Sequence, residues 1–418
     1  MGISLFGREI FIYLYNEFMA SIKVMFSPSS AADREGTICY QINHDRKSRR
    51  LDTDYRLFAC EWNEKRSMVV VNDRSDRREA VTAIREQIAG DVERLNRVIR
   101  RLDGNGLSYT ATDVVDEYRR YVTECSLSHF MVGLISKMRQ NGRVRTSETY
   151  MTTLNSFRRF LNGGDIGLDC LNAELMEAYE AWNRQRGVSS NTISFYNRIL
   201  RAVYNRAVDN DLIDDRRPFR HVYTGVDKTV KRALPLAVVR EIKMLDLTRI
   251  PSLDYARDMF IMSFMLRGMS FIDMAYLRKS DLTNGYITYR RRKTGQRLTI
   301  AWTKEMQAIL DKYPENKSDY LLPVIRTPGI NDRWAYRNVG YNINYGLKAI
   351  ARMVGVTMPL TLYVARHSWA SAAKAKGVPL SVISEGMGHD SESTTQIYLA
   401  SLDASVVDRA NSLILSSL

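Results

Sequence analysis

The stretch MGHDSESTTQIYLASL, residues 387 to 402, sets His389 nine positions before Tyr398 among small polar residues. Three earlier stretches carry groups suited to a phosphate: LRGMSFID (266 to 273), RRRKTGQ (290 to 296) and VARHSWAS (364 to 371). A tyrosine is a poor nucleophile while its phenol keeps its proton, with a pKa near ~10. Fixed positive charge beside a phosphodiester would favour the phenolate and stabilise the transition state. Two arginines, a lysine and a histidine gathered around one tyrosine could therefore cut a phosphodiester without a metal. No stretch offers the carboxylate pair of a two-metal nuclease. Each group also has an ordinary reading: Tyr398 is one of 23 tyrosines, Arg366 a solvated helix residue, Lys293 a solvated hairpin tip. Their joint occurrence gives the chemistry its weight.

Such a set must be held by folded elements, and the chain has the means to build them. At 418 residues and 45% apolar composition it exceeds what one core usually organises, which predicts two or three domains. The net charge of +14 points to a polyanionic partner, and +10 of it lies between 225 and 418, where 27 basic residues face 17 acidic ones. A basic surface on one domain is the natural reading.

Towards the N-terminus, SIKVMF (21 to 26) and GTICYQI (36 to 42) place apolar residues at every second position, the period of half-buried strands. A small antiparallel sheet is expected over 21 to 72. Arg46, Lys47, Arg49 and Arg50 form either a solvated loop or a phosphate-contacting face. From 74 to 102, Val81, Ile84, Ile88, Val92, Leu95, Val98 and Leu102 recur at spacings of three and four, one long helix that stops at Gly104-Asn105-Gly106. Further helices are expected over 147–161 and 191–208. The second has Ser190 or Asn191 as N-cap and a buried stripe of Tyr196, Leu200, Val203 and Ala207.

A connection follows from Asp214 to Arg232, with a domain boundary near 215 to 232. Beyond it helices recur, except that Gly285 to Trp302 alternates on both sides of Thr294-Gly295 and should be a hairpin. Ser393 can cap a short helix with Gln396 as its partner, leaving Tyr398 on the second turn and His389 in a mobile loop before it.

In order and wording these stretches resemble the tyrosine recombinases, or phage-type integrases, and most closely the branch on conjugative transposons and mobilisable elements. Gly388, His389, Thr395 and Tyr398 match that family's G-H-x-x-x-x-x-T-x-x-Y box, VARHSWAS is similar to the box of its second arginine, and RRKTG to its lysine-bearing hairpin. The middle helices look like its core-DNA-binding domain and the N-terminal sheet like an arm-site-binding domain. The resemblance implies a multidomain α+β protein in three parts. Residues 1–105 would be a small N-terminal β-sheet domain that binds arm-site DNA, with a linker helix. Residues 106–220 would be an all-helical core-DNA-binding domain, and 225–418 a mostly helical catalytic domain with a β-hairpin.

It also implies roles. Tyr398 would be the nucleophile that forms a 3′-phosphotyrosyl link and releases a 5′-hydroxyl. Arg366 would hold a non-bridging oxygen, and Lys293 would protonate the 5′ oxygen as general acid. His389 would donate a hydrogen bond to the phosphate and steady the tyrosine. His367 reads as a packing residue, since adjacent helical residues point to different faces.

Two positions depart from the family pattern. Its second box usually reads His-x-x-Arg, and Tyr363 takes the histidine's place. Aligned on Asp273, the first arginine's place is held by Ser270, with Arg267 three residues earlier. Ser270 to Asp273 reads as a capping box and Arg267-Gly268 as the end of the preceding helix, yet a long arginine side chain could reach the phosphate from 267. Arg291, expected on the same strand face as Lys293, is the alternative source of that charge.

The expected function is thus site-specific recombination, as an integrase or invertase; the alternatives are a DNA-binding regulator with degenerate catalysis and a type IB topoisomerase. Implied partners are double-stranded DNA at attachment sites, three further copies in a homotetramer, and DNA-bending accessory proteins, with no cofactor and no metal. Residues 402 to 418 would dock either on a neighbouring copy or on their own domain. Arg8, Glu9 and Glu17 interrupt the apolar start, which argues against a signal peptide, and no apolar run approaches the roughly 20 residues that span a bilayer. Four scattered cysteines fit a reducing cytoplasm.

Overall fold

The computed structural model describes residues 19–31, 33–227, 232–327, 331–389, 391–398 and 415–416, with Thr394, Ile397 and Tyr398 described by backbone alone. Expectations placed on residues 1–18, on Lys231 and on most of the segment 402 to 418 lie outside the described residues. The chain divides into two compact units, Met1–Asp227 and Lys228–Leu418.

The first unit opens with strands β1 (Ser21–Ser27), β2 (Gly36–His44) and β3 (Lys47–Leu57) in an antiparallel sheet of order β1-β2-β3. The alternation seen in the sequence buries Ile38, Tyr40 and Ile42 on one face. β2 and β3 join through Asp45 and Arg46, both at positive φ (46° and 61°), the conformation of a tight hairpin turn whose twist suits paired strands. Lys47, Arg49 and Arg50 are therefore strand residues and not a loop, with Arg50 paired to Gln41 and Arg49 to Ile42. Their charges hid a strand that is held by backbone pairing with β2.

A two-stranded ribbon, β4 (Trp62–Asn63) with β5 (Met68–Val69), precedes helix α1 (Arg78–Gly104), which buries Val81, Ile88, Leu95, Val98 and Ile99 along one stripe. Five helices follow: α2 (Ala111–Cys125), α3 (Leu127–Gln140), α4 (Val144–Phe160), α5 (Ala173–Gln185) and α6 (Ser190–Asp209). Thr110 and Asp113 cap α2 reciprocally. The N-cap of α6 is Ser189, because Ser190 is already helical. Sheet and helices share one hydrophobic core. Within it the buried Asp91 on α1 accepts hydrogen bonds from Tyr40 (2.9 Å), Tyr55 (2.8 Å) and Arg94 (3.0 Å), and Arg94 also grips Asp169 at 2.6 Å. A buried carboxylate is tolerated because its oxygens are bonded.

The second unit is built around α8 (Pro251–Met265), which opens on a proline at a position where its missing N–H costs nothing. Ala256, Met259, Phe260, Ile261 and Met262 are all buried, so α8 is enclosed on every side. Around it pack α7 (Leu236–Met244), α10 (Lys304–Asp311), α11 (Asp332–Met353) and α12 (Leu362–Ala375). The short α9 (Phe271–Ala275) leads to β6 (Leu282–Thr283), β7 (Tyr286–Arg290) and β8 (Arg297–Ala301). They form a three-stranded sheet in which Ile287, Tyr289, Leu298 and Ile300 face the core. The expected hairpin is thus the outer two-thirds of a sheet. Last come α13 (Leu380–Met387) and α14 (Glu392–Tyr398). No helix among the described residues is long and apolar enough to cross a membrane.

Candidate active site

Arg366 lies on α12 and is 3% exposed. Its burial is compensated by hydrogen bonds: Nη1 donates to the Gly268 carbonyl at 2.8 Å, and Nη2 donates to the Met387 carbonyl at 2.6 Å and to His389 Nε2 at 3.0 Å. Burial, and then the positive charge of Arg291, push its pKa down to about 10, so the guanidinium stays charged at neutral pH. Gly268 makes room for it. A Cβ there would stand 2.6 Å from Arg366 Cα, and φ at Gly268 is +71°, a conformation that glycine adopts without penalty.

The carbonyl end of α13 gathers two arginines. The last carbonyls of a helix lack partners within it and carry the negative end of its dipole. Here the helix closes on Gly388 at φ 64°, leaving those carbonyls accessible. Arg366 takes that of Met387, and Arg291 Nη1 donates to that of Gly388. The aliphatic stem of Arg267 passes nearby, its Cδ 3.8 Å from where a Cβ on Gly386 would stand. Arg291 is 6% exposed, whereas Arg267 is partly exposed and holds a left-handed backbone (φ 57°). Of the two candidates for the first arginine's charge, Arg291 is the one bonded to the helix end.

Arg291 and Lys293 do not share a strand face. Arg290 ends β7, and the six residues 291–296 form a turn closed by Arg291 N–H to the Gln296 carbonyl (2.8 Å) and Gly295 N–H to the Arg291 carbonyl (2.7 Å). The second bond coils the backbone like one turn of helix, which sends Arg291 inward and leaves Lys293 exposed at the tip. Strand periodicity does not apply to such a turn. Asp273, on α9, accepts the Arg292 N–H at 2.9 Å and the Ser270 hydroxyl at 2.6 Å. Ser270 is the N-cap of α9, as its place in a capping box predicts, but its hydroxyl serves Asp273 and caps no backbone N–H.

His389 is buried and held at both ring nitrogens. A guanidinium has no lone pair, so Nε2 accepts from Arg366, which places the ring proton on Nδ1, donated to Thr395 Oγ1 at 2.7 Å. Burial, then Arg366, Arg291 and Lys293, push the imidazole down to about 4, so it is neutral at physiological pH. In this arrangement Nε2 is an acceptor and not the expected donor. Thr395 is fully buried on α14, whose first residue is Glu392. The segment between His389 and Tyr398 is thus tied down through Thr395, and Ser393 lies inside the first turn. Tyr398, three residues after Thr395, is the last residue of α14.

Tyr363 stands at the start of α12, one turn before Arg366, half-exposed and edge-on to the buried His367 with ring centroids 5.0 Å apart. Its phenol is raised by burial and drawn back by Arg366 and Arg291. Two functional positions escaped the sequence reading. Thr395 was marked by its box without a task, and Asp273 was read as a helix cap while its second oxygen anchors a turn that begins 18 residues downstream.

Comparison with known proteins places these elements in a lineage. Residues 126–222 match the model of the phage integrase SAM-like domain and residues 239–405 that of the phage integrase family. The tyrosine recombinase XerA of Thermococcus kodakarensis is 30% identical over 248 residues, covering 58% of this chain and 80% of XerA. The fold is similar to that of a lambda integrase tetramer bound to a Holliday junction, with a TM-score of 0.52 at 15% identity, over 89% of this chain and 96% of that one. It is also similar to the Tn1549 transposon integrase in complex with a circular intermediate DNA, with a TM-score of 0.50 at 16% identity, over 68% and 99%. Together with two arginines and a histidine packed beside a helix that ends on a tyrosine, this kinship defines the chain as a member of the tyrosine recombinase family, an enzyme of site-specific DNA recombination.

Proposed function

We propose that Tyr398 is the nucleophile of this recombinase and that Arg366, Arg291, His389 and Lys293 complete its site. The Tyr398 phenol gives its proton to solvent and its oxygen bonds to phosphorus as the bond to the 5′ oxygen breaks, leaving a 3′-phosphotyrosyl link and a 5′-hydroxyl whose proton comes from Lys293. Arg366 and Arg291 face the non-bridging oxygens, favour the phenolate and stabilise the charge that grows in the transition state. Arg267, partly exposed nearby, adds a weaker field. Neutral His389, whose Nε2 accepts from Arg366, holds that guanidinium in its orientation towards the phosphate. Rejoining runs the same steps backwards, with Lys293 accepting the proton of an incoming 5′-hydroxyl. The observation that carries this reading is the connection Arg366–His389–Thr395, with bonds of 3.0 and 2.7 Å, which runs into the helix ending on Tyr398.

The chain acts, on this reading, on double-stranded DNA at specific attachment sites in the cytoplasm, as a homotetramer helped by DNA-bending accessory proteins. Residues 1–105 bind arm-site DNA, 106–220 grip the core site and 225–418 cut it. The row Lys23–Gln41–Arg50 across the N-terminal sheet, exposed at both ends, supports the first assignment, and the +10 charge of residues 225 to 418 the last. The wording of the boxes supports a place on the conjugative-transposon and mobilisable-element branch. The test is a nicked duplex taken from the DNA flanking the gene. Tyr398→Phe should bind it as the natural protein does and yield no covalent adduct on a denaturing gel; an adduct that persists assigns the nucleophile elsewhere.

A further inference from the structure

Asp273 is 3% exposed, and both of its oxygens are taken by uncharged donors, the Ser270 hydroxyl on Oδ2 and the Arg292 N–H on Oδ1. Arg292 is the residue between Arg291 and Lys293. Its guanidinium lies 4.0 Å from the centre of the Tyr276 ring, just beyond α9, so its backbone and its side chain are both anchored to the α9 segment. The turn itself is closed by two backbone hydrogen bonds of 2.7 and 2.8 Å. Fixing its second residue therefore fixes where Arg291 enters and where Lys293 stands.

Ser270 has a part in this. It occupies the place where the family pattern carries an arginine, whose guanidinium would compete for the carboxylate by a charge-assisted bond. A serine hydroxyl takes one oxygen and leaves the other to the turn. We propose that Asp273 is a positioning residue for the basic turn Arg291–Gln296, and that Ser270 holds its carboxylate in the orientation this requires. The inference rests on the reading of Lys293 as general acid.

A substrate with sulfur in place of the bridging 5′ oxygen tests it, because a thiolate leaves without a proton. The readout is the single-turnover rate of adduct formation on oxygen and sulfur substrates, with DNA affinity measured alongside. Lys293→Ala should lose about a hundredfold or more on oxygen and regain most of it on sulfur. Asp273→Ala should show a similar loss, unchanged DNA affinity and at least a tenfold recovery on sulfur. Asp273→Asn, whose amide oxygen still accepts from Arg292 and whose NH2 can donate to Ser270, should stay within about tenfold of the natural enzyme. Ser270→Ala removes one hydrogen bond and leaves the Arg292 tether, so it makes the same oxygen–sulfur comparison if Asp273→Ala fails to fold; a smaller loss, again restored by sulfur, is expected. A rescued Lys293→Ala beside unrescued Asp273→Ala and Ser270→Ala overturns this inference alone. A Lys293→Ala that sulfur does not rescue overturns the general-acid reading, and the inference falls with it.

Discussion

Replacing Arg291 by alanine separates the two candidate arginines. Its guanidinium is 6% exposed and bonded to the Gly388 carbonyl, next to the Met387 carbonyl that Arg366 holds, so it is fixed before substrate arrives and needs no reorganisation on binding. Removing one preorganised donor from such a site slows reaction by ~10²–10³, or about 2.7–4 kcal/mol. The lower end is expected here, because losing Arg291 also relieves Arg366 of the neighbouring charge that depresses its pKa. Arg291→Lys keeps a charge but loses the fork that can serve the Gly388 carbonyl and a phosphate together, and should recover only about tenfold. Arg267 is partly exposed, so water screens it, and Arg267→Ala should cost no more than about tenfold.

The assay is adduct formation on a nicked attachment-site duplex at fixed salt, with affinity measured in parallel, since each phosphate contact makes binding salt-dependent. A hundredfold loss in Arg267→Ala beside near-natural cleavage by Arg291→Ala would refute the geometric reasoning and give the role to Arg267.

Three further outcomes are expected. Thr395→Val removes the acceptor that fixes the His389 tautomer, leaving a buried N–H unpaired at roughly 1–3 kcal/mol; adduct formation should fall about tenfold or more with DNA affinity intact, and an unchanged rate would remove Thr395 from the site. Gly268→Ala forces a Cβ against Arg366 Cα in a left-handed conformation; a destabilisation of about 2 kcal/mol or more in urea is expected, and a natural midpoint would show that the backbone yields there freely. The imidazole of His389, held near 4 in the folded chain against an ordinary 6.5, also links stability to pH. Between those values the unfolded chain binds a proton that the folded chain refuses, so stability is full above pH 6.5 and falls towards pH 4, by up to roughly 3 kcal/mol at about 1.36 per unit. His389→Gln should lessen that fall, and equal pH slopes of the urea midpoint in both proteins would count against it.

What the sequence made legible follows from what leaves a periodic trace. β1 and β2 were readable because each alternates apolar and polar side chains; α1 and α6 because their stripes recur at helical spacing. β3 was not, since Lys47, Arg49 and Arg50 broke the alternation and the strand is held instead by register with β2. The nucleophile box could be read as a string, whereas the bonds of Arg291 to the Gly388 carbonyl and of Arg366 to the Gly268 carbonyl join residues 97 and 98 positions apart and have no local signal. The second task of Asp273 was hidden for the same reason. Position 291 shows the limit most sharply: strand periodicity put Arg291 beside Lys293, and one backbone bond across the turn sends the two to opposite sides.

The same surroundings sort the basic side chains of the site by their intrinsic strength. Burial and mutual repulsion bring Arg366 down to about 10 and His389 from 6.5 down to about 4. The arginine remains charged at pH 7, and the histidine becomes a neutral partner able to accept its hydrogen bond. A lysine displaced equally from ~10.4 would fall to about 8 and lose part of its charge when the site is empty. An arginine is therefore required at 366 by the environment as well as by the planar fork. Lys293 stands outside this crowd, exposed at the tip of its turn. In the proposed site, a phosphate entering between Arg366 and Arg291 would relieve their repulsion, and relieve it further as negative charge grows on the oxygens. The electrostatic cost of crowding two guanidinia at one helix end is thus recovered most fully in the transition state, which is the condition for catalysis rather than mere binding.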